Sequence, residues 1–277
     1  MLPLSARRKL LEFLEEDWSK GDVTGDLIEE KTCSGVFSVK EPCVLAGLEE
    51  TAFLFEHEGV EAKALAKDGT RIAKKSEVLR VRGSNKKLIA MARTALDVLG
   101  RMSGVATACS KAVAVAGRVS PKTRVALTRK TLPGFGFFDK KAGVLGGADS
   151  HRLDLSGMVL LKDYYLKFLS TPKKAVELAK AKSSFSAKIE IEVKNAKEAL
   201  DAAKGKPEVV MLDNFSIPQA REAISLLRKA GFLGMVEISG GITPENLADY
   251  ASLKPDVISM GSLTHSAKAI DFSFKIL

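Results

Sequence analysis

Short apolar runs rich in β-branched residues recur along the second half of the chain. They are RVALTRK (124–130), MVLLKD (158–163), AKIEIEV (187–193), EVVMLDNF (208–215), MVEISGG (235–241) and DVISMGS (256–262). Most are separated by segments with helical periodicity, namely PKKAVELAKA (172–181), AKEALDAAK (196–204), IPQAREAISLLRKAG (217–231) and TPENLADYA (243–251). Strands buried on both faces that alternate with helices make βαβ units and a parallel sheet. Such units in succession predict a closed or nearly closed α/β barrel rather than an open doubly wound sheet. No G-x-G-x-x-G follows the first run, which counts against a dinucleotide fold.

The first hundred residues follow a different pattern. Leu10, Leu11, Phe13, Leu14 and Trp18 fall at helical spacing and predict a helix over 7–18. GVFSVKEPCVLAGL (35–48) reads as short strands broken by Pro42 and Gly47. VEAKALAKDGTRI (60–72) alternates apolar and polar residues up to a Lys-Asp-Gly turn, which predicts a hairpin. A helix follows from Leu88 to Met102, with Gly104 soon after it. This part reads as a small α+β domain.

Composition is that of an ordinary globular protein, and it raises one question. The 43 Lys and Arg exceed the 34 Asp and Glu, a formal net charge of +9. That excess fits a nucleic-acid surface, a solvated lysine-rich surface or a basic pocket for a small anion. Aromatic residues are only 6%, so stacking platforms for single strands are scarce. Zinc-finger spacing and RNP-like motifs are missing from the sequence. The three cysteines have neither disulfide nor zinc spacing, which makes a reducing cytoplasm the expected location. No apolar run approaches the roughly 20 residues that span a bilayer. The start, MLPLSARRKLLEFLEEDW, reads as an amphipathic helix rather than a signal peptide.

The chemistry gathers at the ends of the predicted strands, where α/β barrels place their active sites. The first run ends in Thr128, Arg129 and Lys130, and the second in Lys162 and Asp163. The third carries Glu190 and Glu192 on one face, because strand side chains have a period of two. The fourth ends in Asp213 and Asn214, the fifth in Ser239, Gly240 and Gly241, and the sixth in Gly261 and Ser262. Arg129, Lys130, Arg152 and Lys162 suit carboxylate or phosphate, and His151 adds a donor. Glu192 and Asp213 suit ribose hydroxyls or Mg²⁺. Glu190 sits a step deeper, where a pairing inside the barrel competes with a ligand role and a buried carboxylate needs a cationic partner. In SGGITPEN, small residues expose backbone amides to an anion, with Thr243 expected to cap the next helix and Pro244 to open it.

Together, GDVTGDLI (21–28), VLAGLEE (44–50), RTALDVLGRMSGVAT (93–107), TRKTLPGFGFFDKKAGVLGG (128–147), SHRLDLSGMVLLKD (150–163), KIEIEVKN (188–195), VVMLDN (209–214), EISGGIT (237–243) and SMGSLTHSA (259–267) resemble the quinolinate phosphoribosyltransferase, or nicotinate-nucleotide pyrophosphorylase, family. The resemblance implies an N-terminal α/β sandwich domain over 1–104 and an incomplete TIM-like α/β barrel over 105–267. It also implies a C-terminal tail, 268–277, returning to the N-terminal domain. The implied reaction joins quinolinate to phosphoribosyl pyrophosphate with Mg²⁺, giving nicotinate mononucleotide, pyrophosphate and CO₂ in NAD synthesis. By the same resemblance the enzyme is a cytoplasmic homodimer in which Arg93 reaches the neighbouring site. Arg129, His151, Arg152 and Lys162 then hold the quinolinate carboxylates, with Thr128 among the substrate contacts. Lys130 and Lys162 lie near the phosphoribosyl donor, Glu192 and Asp213 hold the ribose and metal, and Ser239 to Gly241 with Met260 to Ser262 bind phosphate. Against the usual family pattern, Tyr164-Tyr165 stand after Lys162-Asp163 in place of Asn-His, Ala92 stands in place of Glu, and GGADS precedes His151 in place of a glycine triplet with Asn.

Other readings make different demands. A relative associated with molybdenum transport would act on a different acceptor, and it usually lacks the lysine that Lys162 supplies. A lyase or aldolase would use Lys162 or Lys130 as a Schiff-base amine with a depressed pKa. A non-catalytic nucleic-acid-binding protein would show strong salt-dependent binding.

Overall fold

The computed structural model describes residues 2–277. Two compact units share the chain. One comprises residues up to 110, 132–147 and 266–277, and the other comprises 111–131 and 148–265. In chain order the elements begin with α1 (Leu4–Trp18), β1 (Thr32–Val39), β2 (Cys43–Val44), α2 (Leu48–His57), β3 (Glu61–Ala64), β4 (Arg71–Ile72), β5 (Glu77–Ser84) and α3 (Asn85–Val119). They continue with β6 (Arg124–Ala126), α4 (Gly136–Leu145), β7 (Val159–Leu161), α5 (Asp163–Leu169), α6 (Pro172–Lys182), β8 (Ile189–Val193) and α7 (Ala196–Lys204). The last are β9 (Val209–Asp213), α8 (Ile217–Lys229), β10 (Met235–Ser239), α9 (Leu247–Ala251), β11 (Val257–Ser259), α10 (Ser262–His265) and β12 (Phe272–Ile276).

The first unit is an α/β sandwich. Its antiparallel sheet runs β12-β1-β5-β3, so the C-terminal strand forms one edge beside β1. The Phe37 ring of β1 packs tilted against Phe274 of β12 at 4.7 Å and meets Phe55 of α2 at 5.7 Å, which fixes the helix on the sheet. The predicted hairpin over 60–72 does not form. β3 pairs with β5 and β4 with β2. The cause is Asp68 in the intervening turn, whose carboxylate accepts from the Leu48 and Glu49 amides at the open start of α2. The turn caps a helix instead of closing a ladder.

The helix predicted over Leu88–Met102 extends over 35 residues and passes through Gly104. A Cβ at Gly104 would stand 2.2 Å from the Lys268 carbonyl, and one at Gly100 would stand 2.8 Å from that of Ile270. These glycines admit the 268–270 backbone to the helix surface, and the Ile270 amide donates to the Gly100 carbonyl. They mark a crossing rather than an end.

The second unit is a six-stranded parallel sheet in the order β6-β11-β10-β9-β8-β7. The first strand pairs with the last, as in a barrel, and the ring stays open between β6 and β7. Asp149 adds one parallel bridge to Ala126 on the free side of β6. β8 and β11 are buried along their whole length, in keeping with their apolar runs. Among the described residues no helix is long and apolar enough to cross a membrane.

A cationic cavity at the carboxyl ends of the barrel strands

The interior residues of the barrel form two layers, because each strand turns every second side chain inward. Met211 and Asp213 of β9, Ser239 of β10, Ser259 of β11 and Glu192 of β8 line an upper cavity of about 310 Å³ at the carboxyl ends. Thr128, Arg129 and Lys130, which follow β6, and Lys162 and Tyr164, which follow β7, complete its rim with His151 and Arg152. One step lower, Val209, Glu237, Val257 and Glu190 line a second cavity of about 380 Å³, which His151 and Arg152 also border.

The upper cavity holds opposed charges. Lys162 Nζ donates to Glu192 Oε2 at 2.6 Å, with Glu192 almost completely buried. Burial alone would lower the pKa of Lys162, but the Glu192 carboxylate more than offsets this and holds it above the ordinary lysine value. Burial and the neighbouring Arg129 bring Arg152 down. Two guanidinium groups crowded in this way, with few acids beside them, make a site for an anion. Asp213 Oδ2 accepts from Asn214 Nδ2 at 2.6 Å. Each acid thus keeps a carboxylate oxygen with no partner among the hydrogen bonds of the described residues.

Two loops beside the cavity present backbone. Gly240 and Gly241 adopt successive left-handed conformations, at φ 84° and 63°. A Cβ at Gly240 would stand 2.3 Å from Asn214 Oδ1, so only glycine fits. Ser262 Oγ donates to the Ile242 carbonyl at 3.4 Å, which ties the loop after β11 to the loop after β10. The Lys130 stem crosses Gly261, where a Cβ would lie 2.9 Å from its Cδ. Met260, just before Gly261, is fully buried. Thr243 does not cap α9, whose N-cap is Asn246. The Asn246 side chain closes a turn on the Thr243 amide and the Gly241 carbonyl, which delays the helix to Leu247.

Of the residues singled out from the sequence, Thr128, Arg129, Lys130, His151, Arg152, Lys162, Glu192, Asp213 and Ser239 line this cavity. Gly240, Gly241, Met260, Gly261 and Ser262 lie in the loops just described. Arg93 is in the other unit, on α3, exposed and 3.5 Å from Asp97. Tyr164, noted in the sequence as a departure from the family pattern, also lines the cavity, and sequence reasoning missed Ser259 and Glu237. Ser259 and Glu237 interrupt apolar runs at inward positions, a signal that the period of two could have exposed.

Glu190, whose depth calls for a partner, faces the His151 ring. His151 Nε2 lies 3.4 Å from Glu190 Oε2 and 3.4 Å from Glu237 Oε2. Its other nitrogen, Nδ1, accepts from the Arg152 amide at 2.8 Å. Burial pulls the His151 pKa down, and the two carboxylates pull it up more strongly. The Arg152 amide opposes a proton on Nδ1, which makes Nε2 the protonated nitrogen and turns it toward the two carboxylates.

The quinolinate phosphoribosyl transferase N-terminal domain model matches residues 22–103, and the C-terminal domain model of the same family matches 105–275. A probable nicotinate-nucleotide pyrophosphorylase [carboxylating] of Archaeoglobus fulgidus is 41% identical over 259 residues, covering 93% of this chain and 98% of that protein. The nicotinate-nucleotide pyrophosphorylase [carboxylating] of Rattus norvegicus is 37% identical, over 95% of this chain and 88% of its own. Among solved structures, NadC from Streptococcus pyogenes superposes with a TM-score of 0.92 at 32% identity, covering 100% of this chain and 98% of that one. The nicotinate-nucleotide pyrophosphorylase from Francisella tularensis gives 0.90 at 29%, with the same coverage.

Proposed function

Because the chain belongs to the quinolinate phosphoribosyltransferase family over almost its whole length, we propose that it transfers phosphoribose from phosphoribosyl pyrophosphate to quinolinate. The products are nicotinate mononucleotide, pyrophosphate and CO₂, and the place of the reaction is NAD synthesis. The observation that carries this reading is the single cavity in which Arg129, Lys130, Arg152 and Lys162 face Glu192 and Asp213. A dicarboxylate acceptor needs the cations. A ribose that becomes cationic as its leaving group departs needs the acids.

In this reading Arg129 and Arg152 clamp the acceptor carboxylates and orient the ring nitrogen toward the ribose. Lys130 and Lys162 neutralise charge on the donor phosphates. Glu192 and Asp213 face the ribose and stabilise its developing positive charge, while the amides around Gly240, Gly241 and Gly261 receive the 5′-phosphate. Attack by the pyridine nitrogen breaks the bond to pyrophosphate; the resulting pyridinium stabilises the electron pair left on the adjacent ring carbon as CO₂ departs, and that carbon then takes up a proton from solvent. No covalent nucleophile takes part.

The donor set suits Mg²⁺, since Glu192 and Asp213 offer hard carboxylate oxygens. Two such groups are too few to enclose the ion alone, which fits a metal held partly by the donor's phosphates. When bound it supplies charge neutralisation on the leaving pyrophosphate. The protein works as a homodimer, with Arg93 completing the neighbour's acceptor site. It acts in the cytoplasm, and neither nucleic acid nor membrane is a partner.

Competing readings fit less well. A Schiff-base lysine needs a depressed pKa, whereas Glu192 holds Lys162 protonated. A molybdenum-transport-associated role is not favoured, because Lys162 is present and the curated relatives carry pyrophosphorylase names. The test is turnover with quinolinate, phosphoribosyl pyrophosphate and Mg²⁺, followed as nicotinate mononucleotide. Its formation is expected, and its absence at saturating substrates would refute the assignment.

A further inference from the structure

Beneath the cationic cavity lie two buried carboxylates that the reaction does not use. Glu190 is completely buried, and both of its oxygens lack a hydrogen-bond partner. Glu237 is 2% exposed, and its Oε1 lacks one too. Both sit in the lower layer of the barrel, and His151 stands between that layer and the upper one. We propose that His151 serves acceptor binding only through Arg152, as a positioning residue, and that Glu190 and Glu237 anchor it from below. This rests on the upper cavity being the acceptor site.

Three features carry the inference. First, His151 has no nitrogen left for a ligand, since Nδ1 takes the Arg152 amide and Nε2 faces both carboxylates. Second, its backbone is left-handed at φ 53°, a conformation that a residue with a Cβ keeps only where its surroundings impose it. The imposition is visible on both sides. Asp149 is bonded into β6 through its own amide and carbonyl, its carboxylate accepts from the His151 amide at 2.8 Å, and the ring is pinned from below. Third, this turn ends at Arg152, whose Nη1 donates to the Met158 carbonyl at 3.3 Å and whose neighbour is Arg129. The glutamates supply counter-charge under two crowded guanidinium groups, and the imidazole transmits their position to the Arg152 backbone.

The same three side chains have metal-ligand spacing, with ligand atoms within 4.8 Å of one another. A ligating histidine offers a bare nitrogen to the ion and usually donates its other N–H to a neighbour. Here Nδ1 is the acceptor, so Nε2 carries the proton and points it at the carboxylates. The cluster is an electrostatic brace, with Nε2 3.4 Å from an oxygen of each carboxylate.

Two measurements test the brace. Calorimetry reads quinolinate affinity in H151A, E237L and E237Q, each made in the wild type and in R152K, where the guanidinium fork is gone but the charge remains. In the wild-type background H151A and E237L are expected to weaken binding about tenfold, as a displaced clamp does, with E237Q restoring most of it. In R152K the same changes should cost less than about twofold, because coupled sites lose their effect together. An undiminished loss in R152K would mean that His151 touches the acceptor itself, and would overturn the proposal. The second measurement needs no substrate. Nitrogen-15 spectra of histidine-labelled protein, assigned by the signal lost in H151N, should show a protonated Nε2 and a bare Nδ1 at neutral pH. A proton on Nδ1 would overturn the brace even in an active enzyme. Wild-type protein that neither binds nor turns over quinolinate, yet shows this tautomer, would instead refute the assigned reaction.

Discussion

Lys162 and Glu192 show how much one contact decides. At 2.6 Å the pair keeps the lysine charged, so it acts as a cation and not as an amine nucleophile. Lys130 and Arg152 have no acid within ion-pair distance among the bridges of the described residues, which leaves their charge for the substrates. Replacing either with alanine removes transition-state stabilisation without emptying a core position. K130A and R152A are therefore expected to lose at least about 100-fold in turnover while their circular dichroism and melting temperature stay near wild type. Near-normal rates in either variant would mean that the cavity is misassigned. The thiols make a second prediction. Burial pushes Cys43 up to about 11 and Cys109 up to about 12, and both are nearly inaccessible, whereas Cys33 is half-buried. A thiol reagent at neutral pH should label Cys33 alone in the folded protein and all three residues once it is unfolded. Most residues of the cavity were legible in the sequence because strand ends announce themselves. The link from His151 to Glu237 was not, since it joins residues far apart in the chain through a barrel interior that no local pattern describes.

At the scale of elements, the barrel strands and helices were readable because each short buried run has turn residues and an amphipathic helix beside it. AKEALDAAK becomes α7 over the same residues, its start fixed by the Asn195 side chain accepting from the Glu198 amide. Readings failed where a local signal served a distant contact. The Lys-Asp-Gly turn looked like the tip of a hairpin, yet Asp68 caps α2. Gly104 looked like a terminator, yet it lies inside α3 against the Lys268 carbonyl. An exposed glycine in mid-helix gains up to about 1 kcal/mol on replacement with alanine, from helix propensity alone. At Gly104 the sign should reverse, because the new methyl group would force apart two backbones, and overpacking costs about 1–3 kcal/mol. Urea unfolding of G104A is expected to show a midpoint below wild type. Gly117, where a Cβ meets nothing within 4 Å, is the control, and G117A should be neutral or stabilising. An unchanged or raised midpoint in G104A would mean that the 268–270 segment is not held against the helix.

For the molecule as a whole, the charge of +9 divides into a part with a use and a part without one. Arg129, Lys130, Arg152 and Lys162 converge on one cavity, while lysines such as Lys173, Lys180 and Lys182 lie on α6, away from the cavity lining. Arg93 belongs to neither set. It is exposed on the first unit, and in the proposed dimer it completes the site of the neighbouring subunit. Nothing near Arg93 in the sequence separates it from a surface arginine, so only the family resemblance pointed to it. A two-fold dimer with shared sites makes a sharp prediction. R93A breaks the residue given to the neighbour, and K130A breaks the cavity itself. In a hybrid of the two, one site inherits both defects and the other inherits neither. Each variant alone should be nearly inactive. Unfolding them together in equal amounts and refolding should give random pairing, half of it hybrid, and hence roughly a quarter of the wild-type rate. A mixture no more active than its components would show that Arg93 serves its own subunit or none, and the shared site would have to be abandoned.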